Sequence, residues 1–211
     1  RAVVGIVRGR PALSQAYPFV CVEPEWPAPA NIVAFTSCRQ GGFSRAPYDG
    51  LNLGLHVGDD AGSVRRNRQQ LLSACPGLQS IEWLQQVHGK DVVYADGSNT
   101  EPQADAAYTD QPGIACAVMT ADCLPVLLCD KLGRQVAAVH AGWRGLAAGV
   151  VESTVERFEA APGQLMAWLG PAISQQYFEV GAEVRDQFLS KASAIDKAEV
   201  ESSFVVNSGR E

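Results

Sequence analysis

The stretch Ile114-Ala115-Cys116-Ala117-Val118-Met119-Thr120-Ala121-Asp122-Cys123-Leu124-Pro125-Val126-Leu127-Leu128 decides how this chain folds. It holds two apolar, β-rich runs, Ile114–Met119 and Leu124–Leu128, which read as buried strands on either side of Asp122 and Cys123. Val136–His140 reads as another buried strand. Working outward, strands are expected at Asn31–Thr36, Ile81–Val87, Asp91–Tyr94 and Met166–Leu169, with an edge strand at Val3–Val7. Asp59 to Ser63 reads as a turn and N-cap opening a helix from Val64 to about Ala74. A second helix is expected from about Leu146 to Phe158, with Leu146, Val150, Val151, Val155 and Phe158 as its buried stripe, and Val184–Leu189 sits in a late helix. Strands outnumber helices without a regular alternation of the two. The expectation is an α+β fold, a mixed β-sheet core flanked by helices.

Composition narrows the function. With 211 residues, 46% of them hydrophobic and 19% charged, the chain can bury a sizeable core. A net charge of -6 argues against broad electrostatic binding to nucleic acid or to anionic membrane. The longest apolar run, Cys123 to Cys129, falls far short of the roughly 20 residues that span a bilayer. Arg8 and Arg10 interrupt the only stretch that resembles a signal peptide. The six cysteines form no CxxC pair, and Cys116, Cys123 and Cys129 fall in apolar stretches, which suits reduced core thiols. The expected location is therefore cytoplasmic. With no heptad run, the default expectation is a monomer.

Three residues stand out as chemistry-bearing: His88 in Gln85-Gln86-Val87-His88-Gly89-Lys90, Cys123, and His140 in Val139-His140-Ala141-Gly142-Trp143-Arg144-Gly145. Two imidazoles and one thiolate are a catalytic zinc ligand set, and three protein ligands leave the fourth tetrahedral position open. Their wide spacing is equally that of core-packed histidines and an inert buried thiol, so both readings stand. Position favours a site, because each residue ends or interrupts an apolar strand and abuts a polar or glycine residue. In a metal-free version Cys123 is a nucleophile and either histidine its base, with Asp122 or another carboxylate orienting the imidazole.

A second constellation suits an anion. Arg39 offers a planar fork for phosphate, and Gly41-Gly42 lets backbone N–H groups come close to a ligand. The competing reading makes Gly41-Gly42 a plain turn and Arg39 a surface ion-pair partner. Asn52, in Leu51-Asn52-Leu53-Gly54, either binds substrate or caps its own turn. Trp143 either stacks on a ring or covers the core.

The strings Leu84-Gln85-Gln86-Val87-His88-Gly89, Ala104-Asp105-Ala106, Thr120 to Val126, Val139 to Gly145 and Leu169-Gly170-Pro171 resemble one family. It is the YfiH or laccase-domain family, also called multicopper polyphenol oxidase or peptidoglycan editing factor. The resemblance runs from about residue 24 onward and takes in Gly41-Gly42-Phe43-Ser44 and Leu51-Asn52-Leu53-Gly54. It leaves residues 1–23 as an extension outside the match and residues 24–211 as one domain, without the C-terminal end that members carry.

The resemblance implies a fold like the cytotoxic necrotizing factor catalytic domain and one zinc held at His88, Cys123 and His140. It also implies phosphorolysis of adenosine, inosine and methylthioadenosine, and deamination of adenosine. Arg39, with Asn52, would then bind phosphate or nucleoside, the chain's expected partners. The oxidase label suggests copper. His56, His88 and His140 are too few for a four-copper centre, so copper would be confined to the zinc position. A cysteine hydrolase acting on a peptidoglycan precursor is the remaining alternative.

Overall fold

A computed structural model of the chain describes residues 2–8, 17–75, 77–193 and 196–205. The chain divides into two units, residues 1–173 and 174–211. The first contains β1 (Ala2–Arg8), β2 (Cys21–Val22), β3 (Ile32–Ser37), α1 (Ala61–Ala74), β4 (Ser80–Glu82), β5 (Val92–Tyr94) and β6 (Ala106–Thr109). It continues with β7 (Ile114–Thr120), β8 (Leu124–Asp130), β9 (Val136–Ala141), α2 (Trp143–Ala148), α3 (Val150–Val155) and β10 (Leu165–Leu169). The second unit carries α4 (Ala182–Lys191) and α5 (Lys197–Ser202), tied by an Arg185–Glu201 ion pair of 2.6 Å.

The fold is α+β, with two five-stranded sheets rather than one. The first has the order β2-β3-β1-β7-β4 and the second β10-β8-β9-β6-β5. Both are mixed: β4 runs parallel to β7 and β5 parallel to β6, and the remaining pairs are antiparallel. The strands β7 and β8, consecutive in sequence, belong to different sheets, so Ala121–Cys123 is the crossing point between them.

This explains why both strands are apolar on both faces. On β7, Cys116 and Val118 pack with Leu127, Cys129, Val136 and Ala138 of the second sheet. Its alternate residues Ala115, Ala117 and Met119 pack with Leu71 and Cys75 in and after α1. On the far side of the second sheet, Val126, Leu128, Ala137 and Val139 meet Val150 and Phe158. A strand covered on two sides reads as a continuous apolar run.

Four expectations change. β1 is an inner strand, paired with both β3 and β7; Ile6, 1% exposed, and Val7 give it two buried faces, which an edge strand does not need. The strand expected over Ile81–Val87 ends at Glu82. Beyond it the Gln86 side chain takes over the pairing, its amide donating to Met119 O at 2.9 Å and accepting from Met119 N at 2.7 Å. The helix expected from Leu146 starts at Trp143 and breaks at Gly149, whose φ of 94° ends α2 and begins α3. Leu146, expected in the buried stripe, is exposed. The strand β6, Ala106–Thr109, had no expectation attached to it.

The expectation for α1 agrees closely: Asp60 caps it by accepting from Ser63 N at 2.7 Å, and Val64, Asn67 and Leu71 are its buried face. All six cysteines are thiols. Burial pushes Cys75 up to about 11, and burial and the nearby Glu82 push Cys116 higher still, so these core thiols stay protonated. Among the described residues no helix is long and apolar enough to cross a membrane.

Candidate metal centre

Three separate segments meet at one end of the second sheet. His140 is the penultimate residue of β9, paired with Pro125 of β8 and 3% exposed. Since Leu124 pairs with Ala141, the next residue out on each strand is Cys123 on one and Gly142 on the other. Cys123 is half-buried in the crossing turn, and His88 is exposed in the loop between β4 and β5. One ligand atom from each of His88, Cys123 and His140 lies within 4.8 Å of the others. The Cys123 Sγ to His88 Nε2 distance is 3.9 Å, and the two imidazole rings stand edge to face with centroids 4.8 Å apart.

This donor set fits zinc. Tetrahedral bonds of about 2.0–2.1 Å to nitrogen and about 2.3 Å to sulfur place those atoms roughly 3.5 Å apart. The observed 3.9 Å edge is only slightly wider, within reach of side-chain rotation. The glycines of the β9–α2 turn make the approach possible. A Cβ at Gly142 would lie 2.9 Å from Cys123 Sγ and 2.9 Å from His88 Cδ2, and one at Gly145 would lie 2.7 Å from Gly89 O. The site needs the volume that glycine leaves.

The carboxylate at this centre is Asp105. Its Oδ1 lies 2.8 Å from His140 Nδ1, leaving Nε2 as the ligand atom. Burial pushes the His140 imidazole down, but the Asp105 hydrogen bond and the adjacent Cys123 outweigh it and raise the group to about 9. Burial works against Asp105 as well, yet His140 and the backbone N–H groups of Gly89, Val87 and His88 hold it below the usual carboxylate range. A metal bound at His140 would therefore displace a proton.

The other sequence candidates have their own contacts. Asp122 is exposed in the crossing turn, with its carbonyl accepting from Ile173 N; the carboxylate against His140 is Asp105 instead. Sequence reasoning gave Asp105 no role, because its neighbours in the chain are small and apolar and its partner His140 lies 35 positions away. Gly41 and Gly42 have φ of 82° and 101°, and a Cβ at Gly42 would sit 2.8 Å from Asn67 Oδ1, so both serve a tight loop. Asn67, 0% exposed, holds that loop by accepting from Phe43 N and donating to Ser44 Oγ, Gly50 O and Asn52 O. The Asn52 side chain bonds Gly54 and Asp59, which is turn duty. Arg39 is exposed, its carbonyl accepting from Gly50 N and Leu51 N. Trp143 is half-buried, with the Arg144 guanidinium 4.5 Å from its ring. His56 lies in a 3-10 turn, Leu55–Val57.

Known proteins resemble this chain over most of its length. The family described as multi-copper polyphenol oxidoreductase laccase matches residues 33–208. A Shigella flexneri protein named purine nucleoside phosphorylase YfiH is 53% identical over 177 residues, 82% of this chain and 73% of its own length. A Pseudomonas aeruginosa protein, also named a purine nucleoside phosphorylase, is 51% identical over 189 residues, 89% of this chain and 75% of its own. The crystal structure of a Neisseria meningitidis protein, 48% identical, superposes with a TM-score of 0.77 over 81% of this chain and 70% of that one.

Proposed function

The chain belongs to the multi-copper polyphenol oxidoreductase laccase family, and on that premise we propose that it is a zinc-dependent purine nucleoside enzyme. The reaction assigned is phosphorolysis of adenosine, inosine and S-methyl-5'-thioadenosine, with deamination of adenosine as a second activity. The observation that carries the reading is the meeting of His88, Cys123 and His140 in a chain so similar to proteins named purine nucleoside phosphorylase.

His88, Cys123 and His140 would hold the metal, which supplies Lewis acidity at the coordination position the protein leaves open. Asp105 keeps the His140 ring fixed. Arg39 would bind a phosphate dianion through its planar fork, on a loop whose course Gly41, Gly42 and Asn52 set. In phosphorolysis a phosphate oxygen bonds to the ribose C1′ as the C1′–N bond breaks. The bonding pair leaves with the purine, whose ring nitrogen takes a proton. Asp122, exposed and next to Cys123 in the chain, would relay that proton from solvent.

Chromatography of adenosine incubated with the zinc-loaded protein, with and without phosphate, tests the reading. Adenine with ribose 1-phosphate is expected when phosphate is present, and inosine in either case. The absence of all three overturns it. A cysteine-nucleophile reading is favoured by the 3.9 Å contact between Cys123 Sγ and His88 Nε2. It requires full activity after chelation and loss on alkylation of Cys123. Oxidation of a phenol substrate only after copper loading would mark copper at the same three residues.

A further inference from the structure

Asp105 does more than touch one histidine. Its side chain is 0% exposed and accepts four hydrogen bonds. Oδ1 takes His140 Nδ1 at 2.8 Å and His88 N at 2.9 Å; Oδ2 takes Gly89 N at 2.6 Å and Val87 N at 3.2 Å. A carboxylate has about four lone-pair positions, so this one is saturated. The same residue's carbonyl accepts from His140 N at 2.7 Å, fixing β9 to it through the backbone as well.

The three successive N–H groups of Val87, His88 and Gly89 converge on one anion, a concavity that the backbone forms when one residue turns left-handed. That residue is His88, at φ 61°, a region a non-glycine residue rarely occupies. The anion that holds the loop in this shape is the anion that orients His140. Accepting from His140 Nδ1 fixes the tautomer in which the Nε2 lone pair points at the site. The negative charge of Asp105 would also offset part of a divalent cation's charge.

We infer that Asp105 is the positioning residue that couples the two histidine ligands, setting the backbone of His88 and the tautomer of His140 with one carboxylate. This inference rests on the metal reading above. It differs from simple packing in what it requires of each oxygen. An Asn at this position keeps the shape, and because the amides of Val87 and Gly89 can only donate while His140 can change tautomer, its NH2 turns toward the His88 amide and His140.

The test is zinc affinity, measured by competition with a chromophoric chelator, for the unsubstituted protein and for Asp105→Asn, together with 15N NMR of labelled histidines. Asp105→Asn should bind zinc about 10–100-fold more weakly with unchanged circular dichroism. Its metal-free neutral form should populate the Nε2–H tautomer of His140. Affinity within twofold of the unsubstituted protein overturns the inference. Should Asp105→Asn not fold, the unsubstituted protein decides: zinc-loaded, it must show His140 coordinated through Nε2 with a slowly exchanging Nδ1 proton. Coordination through Nδ1 overturns the inference. If the unsubstituted protein binds no zinc, the metal reading has failed, and the His140 tautomer in the two proteins still judges Asp105 by itself.

Discussion

Adding one methyl group at Gly142 should weaken metal binding at the centre. Gly142 has φ -62° and ψ 154°, a conformation any residue adopts, so Gly142→Ala introduces no backbone strain. The whole effect comes from where the methyl lands: 2.9 Å from Cys123 Sγ and 2.9 Å from His88 Cδ2. Optimal contacts lie at about 3.5–4.0 Å between carbons, so each contact is short by roughly 0.6–1.1 Å. Relieving both contacts pushes the thiol and the imidazole, two members of the ligand set, away from the turn. Overpacking of this kind costs about 1–3 kcal/mol. If about 1.4 kcal/mol of it falls on the metal-bound state, zinc affinity drops about tenfold. Replacing Gly by Ala at a helix N-cap also costs stability, but it acts on bound and unbound protein alike. Affinity therefore separates the two effects where a melting temperature does not. Chelator competition on Gly142→Ala, with Gly163→Ala as the control because a Cβ there meets nothing within 4 Å, gives the answer. A Gly142→Ala protein that binds zinc as tightly as the control would refute the geometry argued for the site.

Three further outcomes are expected. Cys123→Ala should remove both metal and activity while the urea midpoint stays close to that of the metal-free parent, because the half-buried thiol leaves only a small cavity; retained stoichiometric zinc by elemental analysis would contradict this. Asn67→Ala removes the side chain that makes four hydrogen bonds to the loop carrying Arg39, and equilibrium urea unfolding should register a loss of about 2–4 kcal/mol. Asp130, its carboxylate 2% exposed, is held below the usual range because its bonds to Gln135 N, Arg134 N and the Arg134 side chain outweigh burial, which acts the other way. A depressed carboxylate contributes stability that is fully present above its unfolded value of about 3.9 and is lost as pH falls through the lower folded value. Asp130→Asn should therefore flatten the acid limb of a stability profile below about pH 4, and an unchanged limb would show that Asp130 does not supply it.

What the sequence determined was the set of parts. The apolar runs Ile114–Met119, Leu124–Leu128 and Val136–His140 are buried strands, because only a backbone covered on both faces tolerates so little polarity. The helix α1 was equally legible, with a turn and N-cap expected over Asp59 to Ser63 ahead of it. His88, Cys123 and His140 were recognisable as candidate ligands by chemical type. Tertiary structure decided how these parts are arranged. That β7 and β8 part into different sheets, with Cys123 at the crossing, depends on pairing partners far away in the chain. So does the inner place of β1, which local periodicity reads as an edge. Asp105 shows the limit most plainly. Its neighbours in sequence are small and apolar, and the groups that give it meaning are His140 and the amides of Val87 to Gly89. A buried carboxylate is defined by its donors, and donors brought together by folding leave no periodic trace in the sequence around it.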